Sequence, residues 1–259
     1  MRHILSATLL LSMSAPAYAQ SPAQEWLSRT VLSFEFLRPY FEDGDTEFPT
    51  VAGFAAVRIP VAGFAVVGEL PFATLSGGGE TSRAIGNVMV AVEAARGDLT
   101  FTTGLRLPTA PENELALLAG FAADVQRHEA FLDDVLTLRL GIDYRRPRGS
   151  GFQIDAGGAA ELLFLTADDG ADPELLLDYG FQLIHRPRTW GWSGGIAGRA
   201  HITDSDLTLS QRTMHELRTG VDYTTSNLRP HAGIALPLDE DARDFVNLIL
   251  RFGLQVAFR

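Results

Sequence analysis

The chain of 259 residues has no cysteine, 21 cationic side chains against 32 acidic ones, and 46% hydrophobic residues. A disulfide scaffold, a zinc ribbon and a thiol enzyme are thereby excluded. Every cation is arginine, and the net charge of -11 argues against DNA or RNA as a partner.

Arg2 and His3 precede an apolar stretch from Ile4 to Met13, and Ala17-Tyr18-Ala19 places small residues where a signal peptidase reads them. The expectation is a signal peptide over 1–19, cleaved before Gln20, and one domain over 20–259. Beyond the first twenty residues no apolar run approaches the roughly 20 residues of a membrane-spanning helix, so strands must make any crossing.

Alternation with a period of two then runs along the chain. Leu32, Phe34 and Phe36 alternate with Ser33 and Glu35; Leu136, Leu138, Leu140, Ile142 and Tyr144 alternate with Thr137, Arg139, Gly141 and Asp143. Val246, Leu248, Leu250, Phe252, Leu254, Val256 and Phe258 share one face of the last segment. About twelve strands are predicted, over 28–38, 50–59, 62–73, 84–95, 98–107, 134–146, 151–165, 173–185, 190–202, 213–224, 228–237 and 244–258.

The connections alternate between short and long. Pro60-Val61, Arg96-Gly97, 147–150, 186–189 and 225–227 are brief, whereas 41–48, 166–173 and 238–243 are longer and acidic. All long loops fall on one rim, with both termini on the other. Aromatic residues divide in the same way: Tyr144, Phe152, Trp190, Trp192, Tyr223 and Phe258 map near the short turns, and Phe36, Tyr40, Phe72, Phe164 and Phe245 near the long loops. An even strand number, short turns on one side and two aromatic belts define a closed antiparallel transmembrane β-barrel. A soluble two-sheet periplasmic protein is the rival, since alternation also fits half-buried sandwich strands.

Residues 111–133 break the rhythm. Leu115, Leu118, Phe121, Ala122 and Val125 are spaced as on one helix face. This longest loop could enter the mouth as a constriction, cap the outer rim, or extend the adjoining strands.

The leader, the alternating strands and the aromatic-rich last strand resemble Gram-negative outer-membrane β-barrels over essentially the whole mature chain. Ile85-Gly86-Asn87, Gly97-Asp98-Leu99 and Gly104-Leu105-Arg106-Leu107-Pro108-Thr109 resemble the strand-turn-strand of transporter-like barrels, including those associated with aromatic-compound degradation. The resemblance implies an outer-membrane location, outer-membrane lipid and the barrel assembly machinery as partners, and a small-molecule solute. The chain ends on Phe258-Arg259, whereas such barrels often end on an aromatic residue.

The face opposite the apolar one holds charges of both signs, among them Glu35, Glu93, Arg106, Arg139, Asp143, Glu161, Asp178, Arg199, His201, Glu216, Arg218, Asp222, Arg229 and Arg251. The candidate solute-binding set is Glu93, Arg106, Arg139, Asp143, Asp178, Arg199, His201, Arg218, Arg229 and Arg251. Packing by ion pairs is one reading of these groups; the other is a ladder of Arg106, Arg139, Arg199, Arg218 and Arg251 that steers small anions. A lipid hydrolase would need an outward-facing histidine beside a serine, and His215 has that parity. No serine on the adjoining strands shares it; Ser210 and Asp204 lie in the preceding loop. Ser76-Gly77-Gly78-Gly79 lacks the Lys-Ser/Thr of a phosphate loop, and the histidines lack metal-ligand spacing, so no cofactor is expected. The functions left open are a channel or transporter for small solutes, a closed structural or interaction barrel with a plugged lumen, and an outer-membrane lipid hydrolase.

Overall fold

A computed structural model describes residues 28–41, 50–77, 80–112, 115–124, 126–147, 151–166, 172–203 and 212–258. The expected signal peptide, the 42–49 loop, the glycine pair 78–79, and Asp204 and Ser210 lie outside them.

Thirteen strand segments form one antiparallel sheet: β1 (Thr30–Phe41), β2 (Thr50–Val61), β3 (Phe64–Gly77), β4 (Glu80–Ile85), β5 (Met89–Arg96), β6 (Leu99–Arg106), β7 (Val135–Pro147), β8 (Phe152–Leu165), β9 (Glu174–His185), β10 (Trp190–His201), β11 (Thr213–Tyr223), β12 (Leu228–Pro237) and β13 (Val246–Phe258). Apart from β4 and β5, consecutive strands pair with one another, and β1 closes on β13 from Thr30↔Phe258 to Phe41↔Val246. Segments β4 and β5 follow one another along the same partner, β3, and so make a single stave of a twelve-stave barrel. Closure leaves no sheet edge to be satisfied in lipid.

The predicted parity holds around the wall. Phe34, Phe36, Val90, Val92, Phe101, Leu138, Leu140, Ile142, Phe181, Leu183, Leu217, Phe252 and Leu254 are large, apolar and exposed on the outer surface, as a lipid-facing wall requires. Both aromatic belts are present. At the short-turn rim the rings of Trp190 and Tyr223 lie 4.9 Å apart and His185 sits between Phe152 (4.2 Å) and Trp192 (5.5 Å). At the long-loop rim Phe36 meets Phe72 edge-on at 5.8 Å, and Phe41 meets Phe245 at 5.3 Å. Phe72 lies across Gly53, where a Cβ would fall 2.4 Å from the ring.

One stave departs from the prediction. Instead of running unbroken over 84–95, it is interrupted at Gly86-Asn87-Val88, because there the backbone bonds to the chain entering the lumen rather than only to a neighbouring strand. The described residues between 107 and 134 turn inward between β6 and β7, which settles the three readings of that loop in favour of insertion. The insert contains helix α1 (Leu115–Ala123) and a 3-10 turn (His128–Phe131); helix α2 (Glu240–Arg243) lies before β13.

The buried face of α1 is not the one that its large residues mark. Ala116, Leu117, Gly120 and Ala123 are buried, whereas Leu118 and Phe121 are exposed. This helix is apolar on every side, so the spacing of its bulky residues cannot select a face; close approach to the wall does. Ala116, Leu117, Ala123, Ala130 and Phe131 form one cluster with Leu37, Ala52, Phe54, Ala73, Ala84, Ala235, Val246 and Ile249 of the long-loop half. The plug is thus glued by apolar contact to the β1–β4 and β12–β13 side of the long-loop half, while its polar residues reach β1, β3 and β13 as well as β6, β10 and β11.

Candidate functional site

Asn87 clasps the insert to the wall. Its backbone N–H donates to the Ala130 carbonyl (2.7 Å), and its side-chain Nδ2 donates to the carbonyls of Glu129 (3.1 Å) and Leu132 (2.6 Å). Its Oδ1 accepts from the N–H groups of Thr109 and Ala110, each at 2.8 Å, and its carbonyl accepts from Arg106 Nη1 at 2.9 Å. Thr109 adds a hydroxyl bond to the Gly86 carbonyl at 2.9 Å. A fully buried amide is tolerated only when its donors and acceptors are filled, and this one is filled from both ends of the insert. Gly86 must be glycine here, since a Cβ would lie 2.2 Å from the Ala130 carbonyl oxygen. Gly86→Ala is therefore expected to weaken plug docking by about 1–3 kcal/mol, visible as faster tryptic cleavage after Arg127 in an otherwise intact barrel.

Beyond the clasp, one connected ionic network joins the plug to the wall. The plug supplies Asp124, Arg127 and Glu129; the wall supplies Glu35, Glu69, Arg106, Arg139, Glu161, Asp178, Arg199, Glu216, Arg218 and Arg251. Arg199 is its hub and is fully buried. Nε reaches Asp178 at 2.6 Å, Nη1 reaches Glu129 at 2.7 Å, and Nη2 reaches Glu161 at 2.9 Å and the Gln126 carbonyl at 2.5 Å. Arg139 pairs with Glu161 and, at 2.8 Å, with Asp178. On the other flank Arg127 binds Glu35 at 2.5 Å and Asp124 at 2.6 Å, and stacks over Phe54 with its guanidinium carbon 3.5 Å from the ring centre. Arg218 and Arg251 each approach Asp124 at 3.5 Å.

The plug groups are electrostatically fixed by these partners. Burial alone would raise the Asp124 carboxyl, but Arg127, Arg251 and Arg218 hold it well below the ordinary range. Burial likewise opposes ionisation of Glu129, yet Arg199 and Arg106 bring it down to about 2. His128 is pushed down to about 3, first by burial and then by Arg199, and so is neutral; its ring stacks between Phe121 (4.8 Å) and His201 (5.8 Å).

Below the plug a cavity of about 970 Å³ extends to the short-turn rim. Gln126, Arg139, Asp178, Arg218, Arg251 and Glu35 bound it toward the plug, and Pro147, Gly151, Arg186 and Thr224 bound it at the turns. Of the ten candidate residues, Arg106, Arg139, Asp178, Arg199, Arg218 and Arg251 belong to the network. Glu93 pairs with Arg58 at 2.7 Å in the vestibule wall, Asp143 lines the same space, and Arg229 reaches Asp222 at 3.5 Å. His201 stands on the far side of the plug against His128. The five arginines of the supposed ladder are not equivalent, because Arg106 and Arg199 are sealed by plug carboxylates while Arg139, Arg218 and Arg251 also face the vestibule.

Strand parity identified the wall groups, but the plug partners Asp124, Gln126, Arg127 and Glu129 and the clasp Asn87 were missed as site residues. A usable signal was the cluster of acid, arginine and histidine over 124–129, directly after an apolar helix in the longest loop. Outside the barrel, His215 is held between Asp239 (Nδ1 to Oδ1, 3.0 Å) and the Tyr179 hydroxyl (Nε2 to Oη, 2.6 Å). Tyr179 lies across Gly198 to reach it, so this histidine is a polar anchor of the outer aromatic belt.

A closed antiparallel barrel with an apolar exterior, two aromatic belts and short and long loops on opposite rims is the fold of outer-membrane β-barrel proteins. Solved structures agree. An outer membrane channel from Pseudomonas putida F1 superposes with a TM-score of 0.60 at 12% identity, covering 89% of this chain and 96% of that one. LpxR from Salmonella typhimurium gives 0.54 at 8% identity over 88% and 100% of the two chains. The beta domain of the Bordetella autotransporter BrkA gives 0.52 at 11% identity over 89% and 99%. No protein-family model matches the sequence, and comparison with curated proteins finds no similar one.

Proposed function

We propose that this protein is a channel or transporter for small solutes in the outer membrane of a Gram-negative bacterium, shut in its long-loop half by the 107–134 plug. The observation that carries the reading is the vestibule of about 970 Å³ that runs from the short-turn rim to an ionic plug interface. A barrel closed only for strength would be filled by wall side chains, whereas here one inserted segment shuts the lumen. Its ion pairs, which reach strands on both sides of the lumen, can exchange with a charged solute. In this reading residues 1–19 direct export, the assembly machinery inserts the barrel, and outer-membrane lipid covers the aromatic-bounded belt.

The test is conductance of the refolded protein in a planar bilayer beside a variant lacking 112–132. Stable unitary steps, enlarged by the deletion, are expected. Silence of both forms, each inserted and heat-modifiable on gels, would favour the closed structural barrel.

A further inference from the structure

We propose that the vestibule binds a small organic anion at its mouth, between Arg145 and Arg229, and that carboxylate-bearing molecules are the solute class of the channel. As a substrate assignment this rests on the channel reading; as a binding site it is measured separately.

The cavity reverses the charge of the protein. The whole chain carries -11, yet eight arginines against six carboxylates line the vestibule. Three of those arginines converge at the short-turn end from different walls: Arg145 from β7, Arg186 just after β9, and Arg229 from β12. All three line the one cavity, and Arg186 and Arg229 share Asp222, at 2.7 Å and 3.5 Å. Such convergence of like charge across a lumen is costly unless counter-charges or an anion offset it.

The counter-charges present are unevenly spent. Asp222 takes two bonds from Arg186, at 2.9 Å and 2.7 Å, and a third from the Thr224 hydroxyl at 3.0 Å, which leaves Arg229 only its Nε at 3.5 Å. Asp155 accepts from Arg145 Nε at 3.3 Å and from Gln153 at 2.6 Å. Glu93 is paired with Arg58. Asp143 lines the same wall and opposes an anion. Among the described residues no hydrogen bond is made by the terminal nitrogens of Arg145 or Arg229. Their side chains are 46% and 31% exposed, whereas Asp155 and Asp222 are 23% and 10% exposed, so the surface offered to a ligand is cationic. Two planar guanidinium forks facing one water-filled space are the donor geometry that carboxylates match.

The probe is succinate, with uncharged succinamide as control, titrated calorimetrically into the full-length refolded protein at low ionic strength, where screening is weak. Saturable binding of succinate alone is expected, weakened roughly tenfold or more in the Arg145→Gln/Arg229→Gln double variant, since both charge-assisted pairs to the carboxylates are lost. Asp143→Asn, which removes the opposing charge, is expected to tighten binding and covers the case in which the arginine variant misfolds. Absence of binding, equal binding of succinamide, or affinity indifferent to all three substitutions would overturn the site. Binding without conductance would retain the site and remove the channel; conductance without binding would do the reverse.

Discussion

Replacing Arg199 by methionine is expected to release the plug while leaving the barrel closed. The substitution keeps much of the volume but strands Glu129, Glu161 and Asp178, which all bond to this one buried guanidinium. Breaking a buried pair from one side costs about 3–5 kcal/mol, because the remaining charges stay desolvated. Here the remedy open to the protein is to withdraw Glu129 with the plug, since Glu129 keeps only the 3.3 Å contact with Arg106, whereas Glu161 and Asp178 are on strands and keep Arg139. The undocked fraction should rise by at least two orders of magnitude, at tenfold per 1.4 kcal/mol. Hydrogen exchange over 115–131 and tryptic cleavage after Arg127 should both accelerate while heat-modifiable migration persists. Adding Glu129→Gln should restore part of the protection by removing the charge that drives withdrawal. If amides 115–131 exchange at the wild-type rate in the single variant, Arg199 is not what holds the plug.

Barrel and network differ in how far the chain announces them, and the reason is physical. A strand in lipid must alternate, so Leu138, Leu140 and Ile142 mark their own orientation, and Arg139 between them can only point inward. Loop length then separates the rims. Parity says where a charge points but not what it meets: nothing in β7 or β10 reveals that Arg139 and Arg199 share Glu161 and Asp178, because those contacts depend on barrel stagger and on a segment without strand periodicity. The helix 115–123 was legible as a helix but not its buried face, since Ala116 and Gly120 are chosen for closeness to the wall rather than for hydrophobic mass. Asn87 is hidden for a related cause. In sequence it resembles one polar residue in a strand, and only the returning chain at Glu129–Leu132 turns it into a clasp.

Acidification is expected to undock the plug in two stages, with signs that follow from its three titrating groups. His128 is neutral in place, with a value of about 3 against about 6.5 when free, so below about pH 6.5 the released form binds one more proton than the docked form. Docking then weakens by about 1.4 kcal/mol per pH unit until the docked residue itself titrates. The groups facing His128 are Arg199, Glu129, His201 and Asp124. Asp124 and Glu129 act in the same direction at lower pH. Their carboxyls are lowered in the docked state, so the stability that they contribute is complete above the ordinary carboxylate range and is lost as pH falls through it, down to about 2 for Glu129. Protease access to Arg127 should therefore climb roughly tenfold per pH unit from about 6 to 4.5, and more steeply below that. An acid-active protease such as pepsin, cutting within the apolar helix 115–123, reports the lower range. His128→Gln should flatten the upper stage and keep the lower one, whereas Asp124→Asn should reduce the lower stage while weakening docking at neutral pH. A plug equally protected at pH 7 and pH 4, with the barrel intact at both, would show that the apolar cluster around Phe131, and not the ionic face, determines whether the lumen is shut.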